Sequence, residues 1–161
     1  MLEIVTLGQE ILTRTADPVK DIDDTIRALA QEMLETMRIG KGVGLAAPQV
    51  NKGIRLFVTE VEERPLVFIN PEILLTSQEE VNLEEGCLSI PGVYAKVVRP
   101  ESVRIQAWNE RGRPFTLDAD GMQARVILHE FDHLNGTLFV DRMSEIARKR
   151  VLRQYERLLR M

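Results

Sequence analysis

The stretch GMQARVILHEFDHLN, residues 121–135, decides how the rest of the chain is read. It has the pattern of a helix, with Asp118 or Asp120 available as its cap and Gly136 as its stop. Within it, His129-Glu130-Phe131-Asp132-His133 forms an H-E-x-x-H motif. Residues four apart share one helix face, so both imidazoles can hold a single metal ion with Glu130 close by as a general base. Two ordinary histidines on a helix are the bland alternative, yet the motif uses every histidine in the chain. A catalytic metal commonly takes three protein ligands and keeps a position for water. No third histidine exists, and the downstream acids Asp141, Glu145 and Glu156 lack a helical context for that task. The single cysteine, Cys87, is the other candidate. A lone cysteine is more often a small buried hydrophobe than a ligand. Its setting, Glu85-Gly86-Cys87-Leu88-Ser89-Ile90-Pro91-Gly92, is a stiff, turn-rich segment at the end of a strand region, and that favours a functional role.

Outward from this helix, the pattern is α+β. A stripe of Ile26, Leu29, Ala30, Met33, Leu34 and Met37 predicts a helix over 23–39, with Asp23 or Asp24 as cap and the two methionines as core. Residues 42–49, Gly-Val-Gly-Leu-Ala-Ala-Pro-Gln, have neither helical nor strand period and read as a loop with exposed backbone. From 54 to 118 the chain is mostly β. Leu56-Phe57-Val58 and Leu66-Val67-Phe68-Ile69 are short apolar runs. Val103, Ile105 and Ala107 alternate with polar residues, as in a sheet with one wet face. Asn109-Glu110-Arg111-Gly112 reads as a turn and Pro114–Leu117 as the return strand. A last helix runs from Ser144 to the end. The order of elements predicts antiparallel strands around the helix that carries the motif, within a single domain over 1–161.

Composition excludes several classes. The 161 residues are 44% apolar and 29% charged, which suits one globular domain rather than a disordered or low-complexity chain. No apolar run approaches the 18 or so residues of a membrane span. The N-terminal residues lack the features of a signal or transit peptide, and one cysteine cannot form an internal disulfide, so a cytoplasmic protein is expected. A net charge of −4 gives no case for binding DNA. The charge is uneven, however: residues 142–161 carry seven Arg/Lys against Glu145 and Glu156, on an otherwise acidic chain. On a helical wheel Lys149, Arg150, Arg153, Arg157 and Arg160 fall on one side. Val151, Leu152, Tyr155, Leu158 and Leu159 fall opposite, with Arg148 alone among them. The final helix is thus expected to press an apolar face on the body and show a basic stripe outward, either a plain solvated face or a docking element for an anionic partner.

Three ungapped segments together resemble the peptide deformylase family: Gly42-Val43-Gly44-Leu45-Ala46-Ala47-Pro48-Gln49, then Glu85-Gly86-Cys87-Leu88-Ser89, then His129-Glu130-Phe131-Asp132-His133. Ile69-Asn70-Pro71-Glu72 and Asp120-Gly121 resemble its bacterial members as well. The resemblance implies an α+β fold and removal of the formyl group from the initiator methionine of new polypeptides. It implies Cys87, His129 and His133 as ligands of one divalent ion, with iron(II) the usual choice and zinc, nickel or cobalt able to serve. It implies Glu130 as acid and base, with Gln49 and the Leu88 N–H on the reacting carbonyl oxygen. Glycines 42 and 44 would let a peptide approach and pair like a strand. Expected around the substrate are Val43, Gly44, Glu85, Gly86, Arg125 and Val126, with Met122 nearby. Arg125 departs from a stretch that relatives keep apolar, and is expected to snorkel at the pocket rim or to face water. Asp132 is expected either to orient an imidazole or to be a solvated or capping acid. The basic helix would dock on the ribosome. Two other readings stand beside this one: an H-E-x-x-H endopeptidase, and a non-catalytic ribosome-associated module with a purely structural metal.

Overall fold

The architecture follows from which faces of the strands are apolar. A computed structural model describes residues 1–161. It contains three α-helices, α1 (Asp24–Ile39), α2 (Gly121–Leu134) and α3 (Glu145–Leu159). Seven strands lie among them: β1 (Gly44–Ala46), β2 (Leu56–Val61), β3 (Arg64–Thr76), β4 (Glu80–Cys87), β5 (Ile90–Pro100), β6 (Ser102–Trp108) and β7 (Pro114–Asp120). Five strands form one antiparallel sheet in the order β1-β2-β3-β6-β7, and β4 and β5 form a separate antiparallel hairpin. The fold is α+β, as the element order implied.

The continuous apolar runs of β2 and β3 are explained by helices on both faces of the sheet. Leu56, Val58, Val67 and Ile69 pack with Ala30, Met33, Leu34 and Met37 of α1. The alternate residues Phe57 and Phe68 pack with Ala124, Ile127 and Leu128 of α2, and their rings stack at 4.6 Å. Val103, Ile105 and Ala107 of β6 face α2, which accounts for their alternation. Helix α2 buries ten of its fourteen residues. A helix covered nearly all round belongs at the centre of the molecule, and this one carries His129 to His133 there. Asp23 caps α1, its carboxylate accepting from the Ile26 N–H at 3.1 Å.

The structure differs from the sequence reading in three places. Residues 44–46 are a strand, paired with Phe57–Thr59, and Ala47–Val50 form a 3₁₀ turn. Three residues, Gly-Leu-Ala, are too few to display a strand period, so the pairing is decided by the neighbouring strand. Asp120 occupies the cap position of α2, but its side chain makes no capping hydrogen bond, and Asp118 pairs with Arg104 at 2.7 Å instead. On α3, which Ser144 caps, Val151 and Tyr155 are buried and Leu152 packs beside them in an apolar cluster with Ile90, Val93 and Phe139, but Leu159 is 66% exposed and Leu158 38%. Leu158 still reaches over Gly92 of β5, and Leu159 lies beyond the covered surface. Lys149, Arg150, Arg153, Arg157 and Arg160 are all exposed, and Arg148 pairs with Asp141 at 3.2 Å. No helix is long and apolar enough to cross a membrane.

Candidate active site

Cys87 ends β4 at the turn into β5, and His129 and His133 lie one turn apart on α2. The fold brings one potential ligand atom from each to within 4.8 Å of the other two. Cys87 Sγ is 3.4 Å from His133 Nε2. Two ligands of a tetrahedral ion with a metal–sulfur bond of about 2.3 Å and a metal–nitrogen bond of about 2.0–2.1 Å stand roughly 3.6 Å apart, so this spacing suits one ion between them. A soft thiolate and two imidazoles suit iron(II), zinc, nickel or cobalt. Only two buried side-chain polar atoms in the chain lack a hydrogen-bond partner, Glu130 Oε1 and His133 Nδ1, and both belong to this cluster. Buried polar atoms are almost always paired; here one belongs to the acid of the cluster, while His133 Nδ1 is the ring nitrogen opposite the Nε2 that faces Cys87.

His129 is oriented from behind. Its Nδ1 lies 2.8 Å from Glu85 Oε1, leaving Nε2 for an ion. Carboxylates commonly orient metal-binding histidines in this way. Glu85 is in turn gripped by Arg99, whose Nε donates to Oε2 at 2.6 Å and whose Nη2 donates to Oε1 at 3.0 Å, and by Arg125 Nη1 at 2.6 Å. Arg99 Nη1 also donates to Asp132 Oδ2 at 2.9 Å, and Arg142 completes the chain with two bonds to Asp132. Asp132 therefore orients no imidazole and is no solvated acid. Arg125 neither snorkels nor faces water: it is 5% exposed. Phe139 stacks on the His129 ring at 6.0 Å. Arg99 and Phe139 escaped the sequence reading. The inward position of Arg99, two residues from the apolar Val97 on the same strand face, was the one available signal.

The two acids beside the histidines are treated oppositely. Burial pushes the Glu85 carboxyl up, but the hydrogen bonds and charges of His129 and Arg99 outweigh this and hold it down at about 2. Burial also pushes Glu130 up, and with less compensation from His129 and Arg99 it rises to about 7. For His129, burial is outweighed by Glu130, Cys87 and Glu85, so its pKa is raised, whereas burial and the His129 charge lower that of His133.

A cavity of about 480 Å³ opens onto this cluster. Gln49, Cys87, Leu88, His129 and Glu130 line it, as do all six residues expected around a substrate: Val43, Gly44, Glu85, Gly86, Arg125 and Val126. His133 sits deeper, with 1% of its surface exposed. The Gln49 side chain is fixed by chemistry: its Oε1 accepts from the Ala46 N–H at 2.9 Å, so its Nε2 must turn toward Ser89 Oγ (3.1 Å) and Cys87 Sγ (3.5 Å). Two glycines allow the close approach. A Cβ at Gly44 would lie 2.6 Å from Glu130 Oε2, and one at Gly42 would lie 2.8 Å from Leu88 Cδ1. Tyr94, 63% exposed at the cavity mouth, covers Gly86 and was not anticipated from the sequence.

An H-E-x-x-H helix beside a cysteine, opening on a peptide-sized cleft, defines a metal-dependent hydrolase. The chain matches the polypeptide deformylase family over residues 1–149. It is 47% identical over 154 residues to a peptide deformylase of Treponema pallidum, covering 96% of this chain and 95% of that one. A peptide deformylase of Acinetobacter baumannii is 45% identical, covering 99% of this chain and 93% of its own. Among solved structures, a peptide deformylase of Ehrlichia chaffeensis in complex with actinonin superposes with a TM-score of 0.95 at 37% identity, covering 100% of this chain and 99% of that one. The chain belongs to the polypeptide deformylase family, hydrolases that remove the N-formyl group from nascent polypeptides. Neither the endopeptidase reading nor the non-catalytic one survives this.

The Glu85 pairing carries a sign for stability. A carboxyl held at about 2 in the fold, against 4.5 ordinarily, adds stability that is fully present above pH 4.5 and is lost as the pH falls toward 2, by about 3 kcal/mol in all. Urea unfolding of chelator-treated protein between pH 5 and pH 3 should show a falling midpoint. In Glu85→Gln, which is less stable throughout, the fall should be markedly shallower.

Proposed function

We propose that Cys87 Sγ, His129 Nε2 and His133 Nε2 hold one divalent ion, and that residues 1–161 act as a single catalytic domain that deformylates peptides beginning with N-formylmethionine. The observation that carries this is the meeting of those three ligand atoms beside Glu130 in one cavity. Iron(II) is the ion that the family resemblance implies, with zinc, nickel and cobalt compatible with the same donors. When bound, such an ion supplies Lewis acidity that brings the pKa of water toward neutrality.

The remaining work falls to the chain. A formamide carbonyl is a weak electrophile, so attack needs a deprotonated nucleophile and a stabilised oxyanion. Glu130, with its carboxyl near 7, accepts the proton of the attacking water and returns one to the departing amine; a group whose pKa lies near the working pH does both efficiently. The Gln49 Nε2–H and the Leu88 backbone N–H donate to the oxygen that becomes negative. One such donor contributes on the order of 3 kcal/mol to the transition state. Strand β1 is the edge of its sheet, so its free side offers a peptide a partner through the backbone near Val43 and Gly44. Val43, Gly44, Glu85, Gly86, Arg125 and Val126 surround the methionine side chain, with Arg125 contributing its aliphatic stem. Because the substrate emerges during translation, the protein works in the cytoplasm. The exposed Lys149, Arg150, Arg153, Arg157 and Arg160 then bring the site to the ribosome through phosphate contacts with ribosomal RNA.

The direct test is anaerobic purification, metal analysis and parallel assays on a formyl-methionyl peptide and on casein. One equivalent of metal with turnover of the formyl peptide alone is expected; casein cleavage would overturn the reading. Glu130→Gln should retain the metal yet lose activity about 10²–10⁴-fold, and a fully active, fully loaded variant would remove Glu130 from the mechanism. As an iron enzyme the protein should lose activity in air, since ferrous iron beside a thiolate is open to oxidation, and nickel or cobalt should protect it. Equal lifetimes for all metal forms would exclude iron. Reversing Lys149, Arg153 and Arg157 to Glu should abolish co-sedimentation with ribosomes at moderate salt while leaving turnover of a short formyl peptide intact. Unchanged sedimentation would reduce the stripe to a wet surface.

A further inference from the structure

Arg125 stands one helical turn before His129 on α2 and is almost wholly buried. A guanidinium keeps its charge in a protein, so its burial requires acceptors. Arg125 has a carboxylate and three backbone carbonyls: Nη1 donates to Glu85 Oε2 at 2.6 Å and to Val97 O at 2.9 Å and reaches Leu83 O at 3.5 Å, and Nη2 donates to Val81 O at 2.7 Å. Leu83 and Val97 face each other across the β4–β5 ladder. One side chain of α2 therefore spans both strands of the hairpin and also holds the carboxylate that orients His129.

The hairpin shares no ladder with the five-stranded sheet. Cys87 ends one of its strands while both histidines stand on α2, so the separation of thiolate and imidazoles depends on whatever fastens the hairpin to the helix. Arg99 fastens it from the hairpin side through Asp132, and the apolar cluster of Ile90, Val93, Val97 and Phe139 packs below. Arg125 is the one α2 side chain that hydrogen-bonds the hairpin backbone.

We propose that Arg125 is a positioning residue of the metal site: by tying β4, β5 and Glu85 to α2, it keeps Glu85 on His129 and Cys87 within reach of the same ion. This rests on Cys87, His129 and His133 being the ligands. The role differs from that of a pocket wall, which would leave metal binding untouched.

The test compares wild type with Arg125→Met, Arg125→Lys and Ile105→Val, the last a mild core variant on β6. Each is stripped with a chelator and reloaded with cobalt(II). Three quantities are read: cobalt affinity by chelator competition, the thiolate-to-cobalt absorption band, and Tm of the metal-free protein. Arg125→Met should weaken cobalt binding about ten- to a hundred-fold, the usual cost of losing support behind a ligand, and should shift or weaken the band. Arg125→Lys, a single point donor in place of a planar fork, should fall between. Ile105→Val should lower Tm alone. If Arg125→Met melts early but binds cobalt with wild-type affinity and band, Arg125 is merely structural and the inference is overturned. Should Arg125→Met fail to fold, Arg125→Lys decides by the same criterion. Wild type that binds cobalt without the thiolate band overturns the ligand set itself, and the inference with it.

Discussion

The carboxylate of Glu85 is the constraint on which the rest of the site depends. It is 7% exposed, and a charge so placed is costly unless nearly every lone pair is used. Both oxygens are used twice, by Arg99 at each, Arg125 at one and His129 at the other. The arrangement substitutes for a missing ladder. Because β4 and β5 are not bonded to the main sheet, geometry that a continuous sheet would impose through backbone pairing is imposed here by charged side chains. Charged pairs specify direction as well as distance, through the fork of each guanidinium. Apolar packing alone, as in the cluster around Val93 and Tyr155, fixes proximity with less angular precision.

The glycine-rich segment applies the complementary principle, approach by omission. At Gly44 the missing Cβ leaves room for Glu130 and Val126, and at Gly42 for the Leu88 side chain. The same segment reaches Gln49, whose carbonyl is occupied by the Ala46 N–H, so that only its amino end is turned toward Cys87. Helix α2, the hairpin and this segment thus meet at the cavity, each held by a different means: apolar burial on the sheet, buried ion pairs, and close backbone contact.

These means differ in how visible they are in a sequence. Apolar burial is legible: the spacing of Met33 and Met37, the alternation of Val103 and Ile105, and the unbroken runs of β2 and β3 all state which faces are covered. The H-E-x-x-H spacing is legible because a helix fixes which residues share a face, and Cys87 became a candidate through the turn chemistry around it. Ion pairs across distant segments are not legible. Arg99 looks like any strand arginine, and Arg125 reads as a pocket-rim or water-facing residue, because nothing local records that Glu85 lies against both. The strand at Gly44–Ala46 is hidden for a related reason: three residues are too few to carry a period, and their pairing is dictated by β2. Leu159 is not legible because a helical wheel gives its direction but not where the body beneath it stops.

The oppositely treated acids show how one cavity can separate support from proton transfer. Glu85 and Glu130 are both buried, yet one is held at about 2 and the other rises to about 7. The difference is one of hydrogen bonding, since burial pushes both upward. His129 and Arg99 supply Glu85 with hydrogen bonds and charges that favour its ionised form, whereas Glu130 has one oxygen without any partner. A carboxylate saturated with donors is a fixed anion, suited to orienting an imidazole and unable to exchange protons near neutral pH. A carboxyl left short of donors gains by taking a proton and loses little by releasing it, which is the property an acid–base group requires. His129 and Arg99 therefore settle which acid remains charged, and supplying Glu130 with comparable donors would leave the site with two fixed anions and no proton carrier.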